Sequence, residues 1–196
     1  MKVELLGTRI DCCQASLPAH ARLTFMTASI RRAKREDAAA IARVQVVTWR
    51  TTYAGLVPES YLAAMNPEEL ARMWNLLIEA GKDFFHVVED ESGVFGFISG
   101  GPIREPVGDY DAELHTIYLL HEHQRSGTGL LLVETLVRDL LGAGFRSMVV
   151  WVLAQNPAVH FYKRLGAIEI SRRTVEIGGA LLDDRVLGWP DLSLSF

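Results

Sequence analysis

Apolar positions change period several times along the chain, and each change marks an element. Ile30 opens a short strand in "SIRRA". "REDAAAIARVQVVTWRTTY" then reads as a helix, with acidic residues at its start, where the helix dipole favours them. Its stripe is imperfect, because Ile41, Val44, Gln45 and Thr48 fall on neighbouring positions. "GLVPESYLAAM" reads as a turn and a short helix. "NPEELARMWNLLIEAG" is a stronger helix, with Asn66 as N-cap, Pro67 in the first turn and Gly81 as the stop. "FFHVVED" and "GVFGFISGG" read as an antiparallel hairpin, residues 84–89 and 94–100.

"AELHTIYLL" is the next strand, and a polar loop leads from it to a helix over 128–142. There Leu132, Val133, Leu136, Val137, Leu140 and Leu141 recur at helical spacing. "RSMVVWVLA" is a nearly continuous apolar run, which fits a strand buried on both faces. "NPAVHFYKRLGA" is a short helix ending at Gly166, and "AIEISRRTVEIGG" and "LLDDRVLGWPDL" are two further strands joined by a Gly-Gly turn. A helical crossover between "AELHTIYLL" and "RSMVVWVLA" predicts that these strands are parallel neighbours. The fold class expected is α/β, a twisted mixed sheet with helices on both faces. Residues 1–28 show no periodicity and are expected to form an N-terminal extension or arm ahead of a domain at 29–196.

A length of 196 residues suits one such domain, and 49% hydrophobic content is enough for a sizeable core. The net charge of -4 carries no basic footprint of a nucleic-acid partner. The nearest thing, "RRAKR", runs straight into Glu36 and Asp37 and reads as a solvated junction. The only cysteines, Cys12 and Cys13, are adjacent, which argues against a disulfide between them and offers no zinc-ligand spacing. His121 and His123 flank Glu122 without a further ligand suggested by spacing, so no metal is expected. No apolar run approaches a membrane span, and the N-terminus lacks a signal-peptide pattern. The expectation is a cytoplasmic protein with no membrane partner.

Gly127 and Gly129 stand where a strand feeds a helix. Glycine there permits positive φ and close approach, and the helix N-terminus presents unpaired N–H groups and partial positive charge, which together make a phosphate site. A P-loop would need Lys and Ser or Thr after the second glycine, where Leu130 follows Gly129. A dinucleotide fingerprint would need a third glycine where Leu132 stands. "QRSGTG" matches instead Q/R-x-x-G-x-G/A, and "IYLLHEHQ" ahead of it and "NPAVHFYKRLGA" downstream also follow the pattern of one family. Over about residues 29–190 the chain resembles the GNAT superfamily of acyl-CoA-dependent N-acetyltransferases. It departs at His121, where a proline is common, and at Ala167, where an aromatic is common.

The resemblance implies acetyl-CoA as cosubstrate and a primary amine of a small molecule or peptide as acceptor, with direct transfer between them. It implies a strand ending at Leu119 that splays from its parallel neighbour and offers the backbone of Ile117, Tyr118 and Leu119 to pantetheine. Gln124, Arg125, Ser126, Gly127, Thr128 and Gly129 would hold the pyrophosphate, and Asn156 would contact the cofactor or cap a helix. Tyr162 is the candidate general acid for the leaving thiolate, with core packing as its alternative. Glu113 is the candidate base, through water, and His115 the runner-up. Strand alternation puts Glu113, His115, Ile117 and Leu119 on one nominal face, a parity that a bulge would break. Trp49, Tyr53 and Tyr61 would border the acceptor pocket or pack in the core. A non-catalytic acyl-CoA-binding sensor on the same scaffold is the alternative function, and a homodimer through the C-terminal strands is also implied.

Overall fold

The computed structural model describes residues 28–196. The expected N-terminal arm, with Cys12 and Cys13, lies outside the described residues apart from Ala28. The two strands predicted to be parallel neighbours are so: β4 (Ala112–Leu119) pairs β5 (Met148–Leu153) in parallel. Around them β1 (Ser29–Arg32), β2 (Phe84–Asp90), β3 (Gly93–Pro102), β6 (Ile168–Ile177) and β7 (Ala180–Trp189) complete a seven-stranded sheet in the order β1-β2-β3-β4-β5-β7-β6. Every other pairing is antiparallel.

Helices cover both faces, as the alternation of periods requires. On one face lie α4 (Thr128–Gly142) and α5 (Ala158–Arg164), where Leu132, Leu136 and Leu140 pack with Ile98, Leu114, Val150 and Leu187. On the other lie α1 (Ala38–Thr52), α2 (Glu59–Ala64) and α3 (Pro67–Ala80), where Ile41, Val44 and Trp74 pack with Val87 and Phe97. Gln45, the polar break in the α1 stripe, is satisfied there: its Oε1 accepts from Trp74 Nε1 at 2.7 Å. Asn66 caps α3 by accepting from Glu68 N at 2.9 Å, and Gly81 ends it in the left-handed region at φ 62°.

A third apolar cluster joins the α1–α2 connection to the far end of the sheet. Tyr53, Val57 and Leu62 pack there with Leu153 of β5 and, at its edge, Val175, Ile177 and Leu182 of β6 and β7. The β6–β7 turn needs Gly178 for two reasons: its φ is 60°, and a Cβ would meet the Tyr61 side chain at 2.7 Å. At the opposite edge, Arg31 forks between two carboxylates. Its Nη1 donates to Asp37 at 2.7 Å and its Nε to Glu89 at 2.8 Å. Among the described residues no helix is long and apolar enough to cross a membrane.

Candidate active site

The parallel pairing of β4 with β5 covers only three residue pairs, Ala112 with Met148, Glu113 with Val149 and Leu114 with Val150. Beyond Leu114 the strands part, while β4 stays bonded to β3 as far as Leu119. Residues 115–119 therefore have a strand partner on one side only. A backbone edge of this kind pairs with an extended amide-bearing ligand. Just past its end come Gln124, whose Nε2 donates to the Leu119 carbonyl at 3.0 Å, and the glycine loop.

The loop is shaped for an anion. Arg125 takes a left-handed φ of 59° and Gly127 one of 87°. Left-handed residues on either side of Ser126 turn successive N–H groups the same way, as in anion-binding nests. The backbone N–H groups of Arg125, Ser126, Gly127, Thr128 and Gly129 have no partner among the described residues, and α4 has no side-chain cap. Ser126 Oγ, by contrast, donates to the His123 carbonyl at 2.8 Å and lies 2.8 Å from Thr128 Oγ1, which holds the loop's shape. A Cβ on Gly127 would meet nothing within 4 Å, so the approach to the loop is open. Gly129 is where α4 meets α5, with the Phe161 ring 3.4 Å from a Cβ built there. The residues present thus fit an acyl-CoA, whose pyrophosphate this loop would hold and whose pantetheine would lie along β4.

Tyr162, on α5, is buried, and stands edge-on to Trp189 with ring centroids 6.1 Å apart. Trp189 also donates to the Leu165 carbonyl at 2.7 Å, so a tryptophan from β7 provides the bulk that Ala167 lacks. The Tyr162 hydroxyl has no hydrogen-bond partner among the described residues and is not among the sealed, unpartnered atoms. Burial first, and the neighbouring Tyr53 second, push its pKa well above the ordinary value, so the hydroxyl keeps its proton. Asn156 does two jobs: its Oδ1 accepts from Ala158 N at 2.9 Å, opening α5, and its Nδ2 donates to the Tyr53 hydroxyl at 3.0 Å. Tyr53 packs against Trp49 with the rings tilted at 52° and their centroids 4.8 Å apart, and Trp49 Nε1 donates to the Tyr118 hydroxyl at 2.9 Å. Trp49 and Tyr61 also line an open cavity of about 360 Å³ with Gln45, Met65 and Met73. Tyr53 is buried behind them.

A bulge in β4 breaks the simple alternation. The β3–β4 register passes from Ser99 opposite Thr116 to Gly100 opposite Leu114, so His115 is the extra residue. Ile117 and Leu119 pack on the α4 side, whereas Tyr118 packs on the α1 side. Glu113, one residue before the inward Leu114, shares the α1 side with Tyr118, not the side of Ile117 and Leu119. Its Oε2 accepts from Arg104 N at 3.2 Å, and burial pushes its pKa up. His115 has its Nδ1 2.9 Å from Arg104 Nη2 and 3.5 Å from Asp83 Oδ2, with Nε2 buried and unpartnered. Burial, then Arg104, brings its pKa down to about 4.

The sequence reading missed a group on the same face. Asp184 of β7 is 5% exposed, and its Oδ2 accepts from Arg173 Nε at 3.3 Å. The Arg173 guanidinium lies 3.5 Å over the Trp151 ring and reaches Glu105 at 2.6 Å. The signal was available: in "LLDDRVLG" Asp184 falls on the parity of Leu182 and Val186, so it points with the apolar residues. Among the described residues no group of three or more His, Cys, Asp or Glu side chains stands together as a metal site would.

A splayed parallel pair with an open amide loop at its mouth is the architecture of an acyl-CoA-dependent acetyltransferase. The sequence pattern of the acetyltransferase (GNAT) family matches residues 27–167, and the chain belongs to that family. It is 44% identical over 166 residues to a Bacillus subtilis (strain 168) protein named as uncharacterized N-acetyltransferase YuaI, covering 84% of this chain and 94% of that one. Among solved structures, the fold resembles PaiA N-acetyltransferase from Thermoplasma acidophilum in complex with coenzyme A. That match has a TM-score of 0.62 at 20% identity and covers 83% of this chain and 98% of the other. It also resembles yncA from Salmonella typhimurium, solved with its cofactor acetyl-CoA, with a TM-score of 0.64 at 22% identity over 85% and 94% of the two chains.

Proposed function

We propose that this protein transfers the acetyl group of acetyl-CoA directly to a primary amine of a small molecule or peptide. The observation that carries the reading is the opening of β4 from β5 beyond Leu114, with the unpartnered N–H groups of Arg125–Gly129 at its mouth. Bound acetyl-CoA supplies an acetyl thioester. The loop N–H groups and the α4 dipole hold its pyrophosphate, and the β4 backbone from Ile117 to Leu119 orients its pantetheine. The same strand's N–H groups donate to the thioester oxygen as it gains charge. Tyr162, kept protonated by burial, donates its proton to the departing sulfur. Two buried carboxylates on the α1 side, Glu113 and Asp184, are the candidates to receive the acceptor's proton. Asn156, through Tyr53 and Trp49, ties the cofactor side of the cleft to the aromatic wall on the acceptor side.

Calorimetric titration with acetyl-CoA tests the cofactor. A folded protein that fails to bind at millimolar concentration would refute it. A thiol-release screen over amino acids, polyamines, aminoglycosides and peptides tests the reaction. Turnover with any amine supports the enzyme, whereas binding without turnover across the screen favours a non-catalytic acyl-CoA sensor.

A further inference from the structure

We propose that Asp184, rather than Glu113, is the group that takes the proton from the acceptor amine. This rests on the acetyltransferase reading above and names a second catalytic residue within it.

The first argument is register. Glu113 pairs with Val149, inside the closed part of the β4–β5 ladder, whereas Asp184 stands opposite Leu153, three residues beyond the last parallel pair at Val150. Chemistry at the thioester needs the open part, where a ligand can lie between the strands. The second argument is neighbours. Leu153 packs in one cluster with Tyr53, and the charge of Asp184 is felt at the Tyr53 hydroxyl, which in turn is felt at Tyr162. Glu113 instead accepts from Arg104 N at 3.2 Å, beside the Arg104–Asp83 ion pair. Asp184 therefore stands beside Tyr53, level with the open end of the β4–β5 pair, and Glu113 beside Arg104 at its closed end.

The third argument is the setting of the carboxylate. Asp184 Oδ2 accepts from Arg173 Nε at 3.3 Å and the Arg185 backbone N–H also donates to the carboxylate, so two donors orient it. Tyr53 helps to aim what arrives: its hydroxyl accepts from Asn156 Nδ2, which leaves its own proton free to donate. The groups facing Asp184 are Arg173 from β6, the Arg185 backbone N–H of its own strand, Tyr53 at the C-cap of α1 and, through Arg173, Glu105. Burial raises the affinity of Asp184 for a proton, and Arg173 partly opposes this.

The step balances as follows. An ammonium N–H bond breaks and its proton passes to Asp184. The free amine forms the C–N bond while the C–S bond breaks. Tyr162 gives its proton to the sulfur, and the second surplus proton of the nitrogen replaces it. Asp184 then releases its proton to water, so one proton leaves per acetyl group transferred.

The test compares Asp184→Asn with Glu113→Gln, using n-butylamine and the best amine of the thiol-release screen as probes. Acetyl-CoA affinity by calorimetry and the melting temperature report folding. Asp184→Asn should bind acetyl-CoA normally, lose ~10²–10⁴-fold in kcat/KM, and lose the acidic limb of the pH–rate profile. Glu113→Gln should keep that limb. Loss of the limb in Glu113→Gln, with Asp184→Asn active, overturns the proposal and leaves the acetyltransferase reading standing. A wild-type protein that acetylates no amine overturns both. If Asp184→Asn fails to fold, carboxyl carbon-13 NMR of the wild type decides: the acidic limb must coincide with the titration of Asp184, and coincidence with Glu113 instead overturns the assignment.

Discussion

The side-chain amide of Asn156 donates to the Tyr53 hydroxyl across 3.0 Å, joining residues 103 positions apart in the chain. Through this bond the start of α5, which carries Tyr162, is tied to the end of α1, which carries Trp49. The candidate acid and the acceptor wall are thus held by one polar contact in a largely apolar setting.

Tyr162→Phe removes one hydroxyl and almost no volume. Acetyl-CoA affinity should hold, because the loop and the β4 backbone are untouched. Turnover should fall by roughly 10²–10⁴-fold, mainly in kcat. A thiolate leaves readily, which favours the lower end of that range. Steady-state kinetics with the true acceptor decide: full kcat, with chemistry limiting the rate, makes Tyr162 a packing residue.

Gly127→Val should abolish acetyl-CoA binding. It places a branched side chain on the open approach to the loop, at a φ of 87° that such residues resist. Circular dichroism checks the fold and calorimetry the affinity. Unchanged affinity would move the pyrophosphate site away from this loop.

Stability should depend on the Arg31 fork at low pH. Hydrogen bonds from Arg31 hold the Asp37 carboxyl below its ordinary range. A carboxyl that is more acidic in the folded state stabilises the fold above its unfolded pKa of about 3.9, and that contribution is lost as pH falls through the lower folded value. The melting temperature should therefore drop below about pH 4. Asp37→Asn should melt lower at pH 7 and show a shallower drop; a drop as steep as that of the wild type would assign the acid sensitivity to other carboxylates.

The C-terminal hairpin is our candidate dimer surface. β6 forms the free edge of the sheet, and Ile168, Ile170 and Leu181 are exposed on this hairpin. Light scattering should show a homodimer, and Ile168→Lys should shift it towards monomer. A wild-type monomer at working concentration would reject the surface.

Much of the fold was legible because its signals are local. The bounds expected for the helix at 128–142 are those observed, since six apolar residues at helical spacing and a glycine at each end leave little choice. The parallel pairing of β4 and β5 follows from connection length alone, because a crossover helix cannot be built between hairpin neighbours. The turn at the start of α4 was legible in part: Gly127 marks one left-handed position, whereas Arg125, left-handed at φ 59°, carries no such mark. Strand parity was not. One extra residue at His115 reverses the side on which everything after it points, and no composition signal announces it.

The sequence by itself determined the element order, the mixed sheet, the glycine loop and the family resemblance, because each rests on residues adjacent or regularly spaced in the chain. Only the tertiary structure decided which carboxylate stands level with the open end of the β4–β5 pair. Glu113 and Asp184 lie 71 positions apart on different strands, and both are buried on one face. What separates them is where the β4–β5 ladder stops, at Leu114 and Val150. That point is set by the packing of whole strands against helices on both sides, a balance over many residues that no local stretch of sequence records.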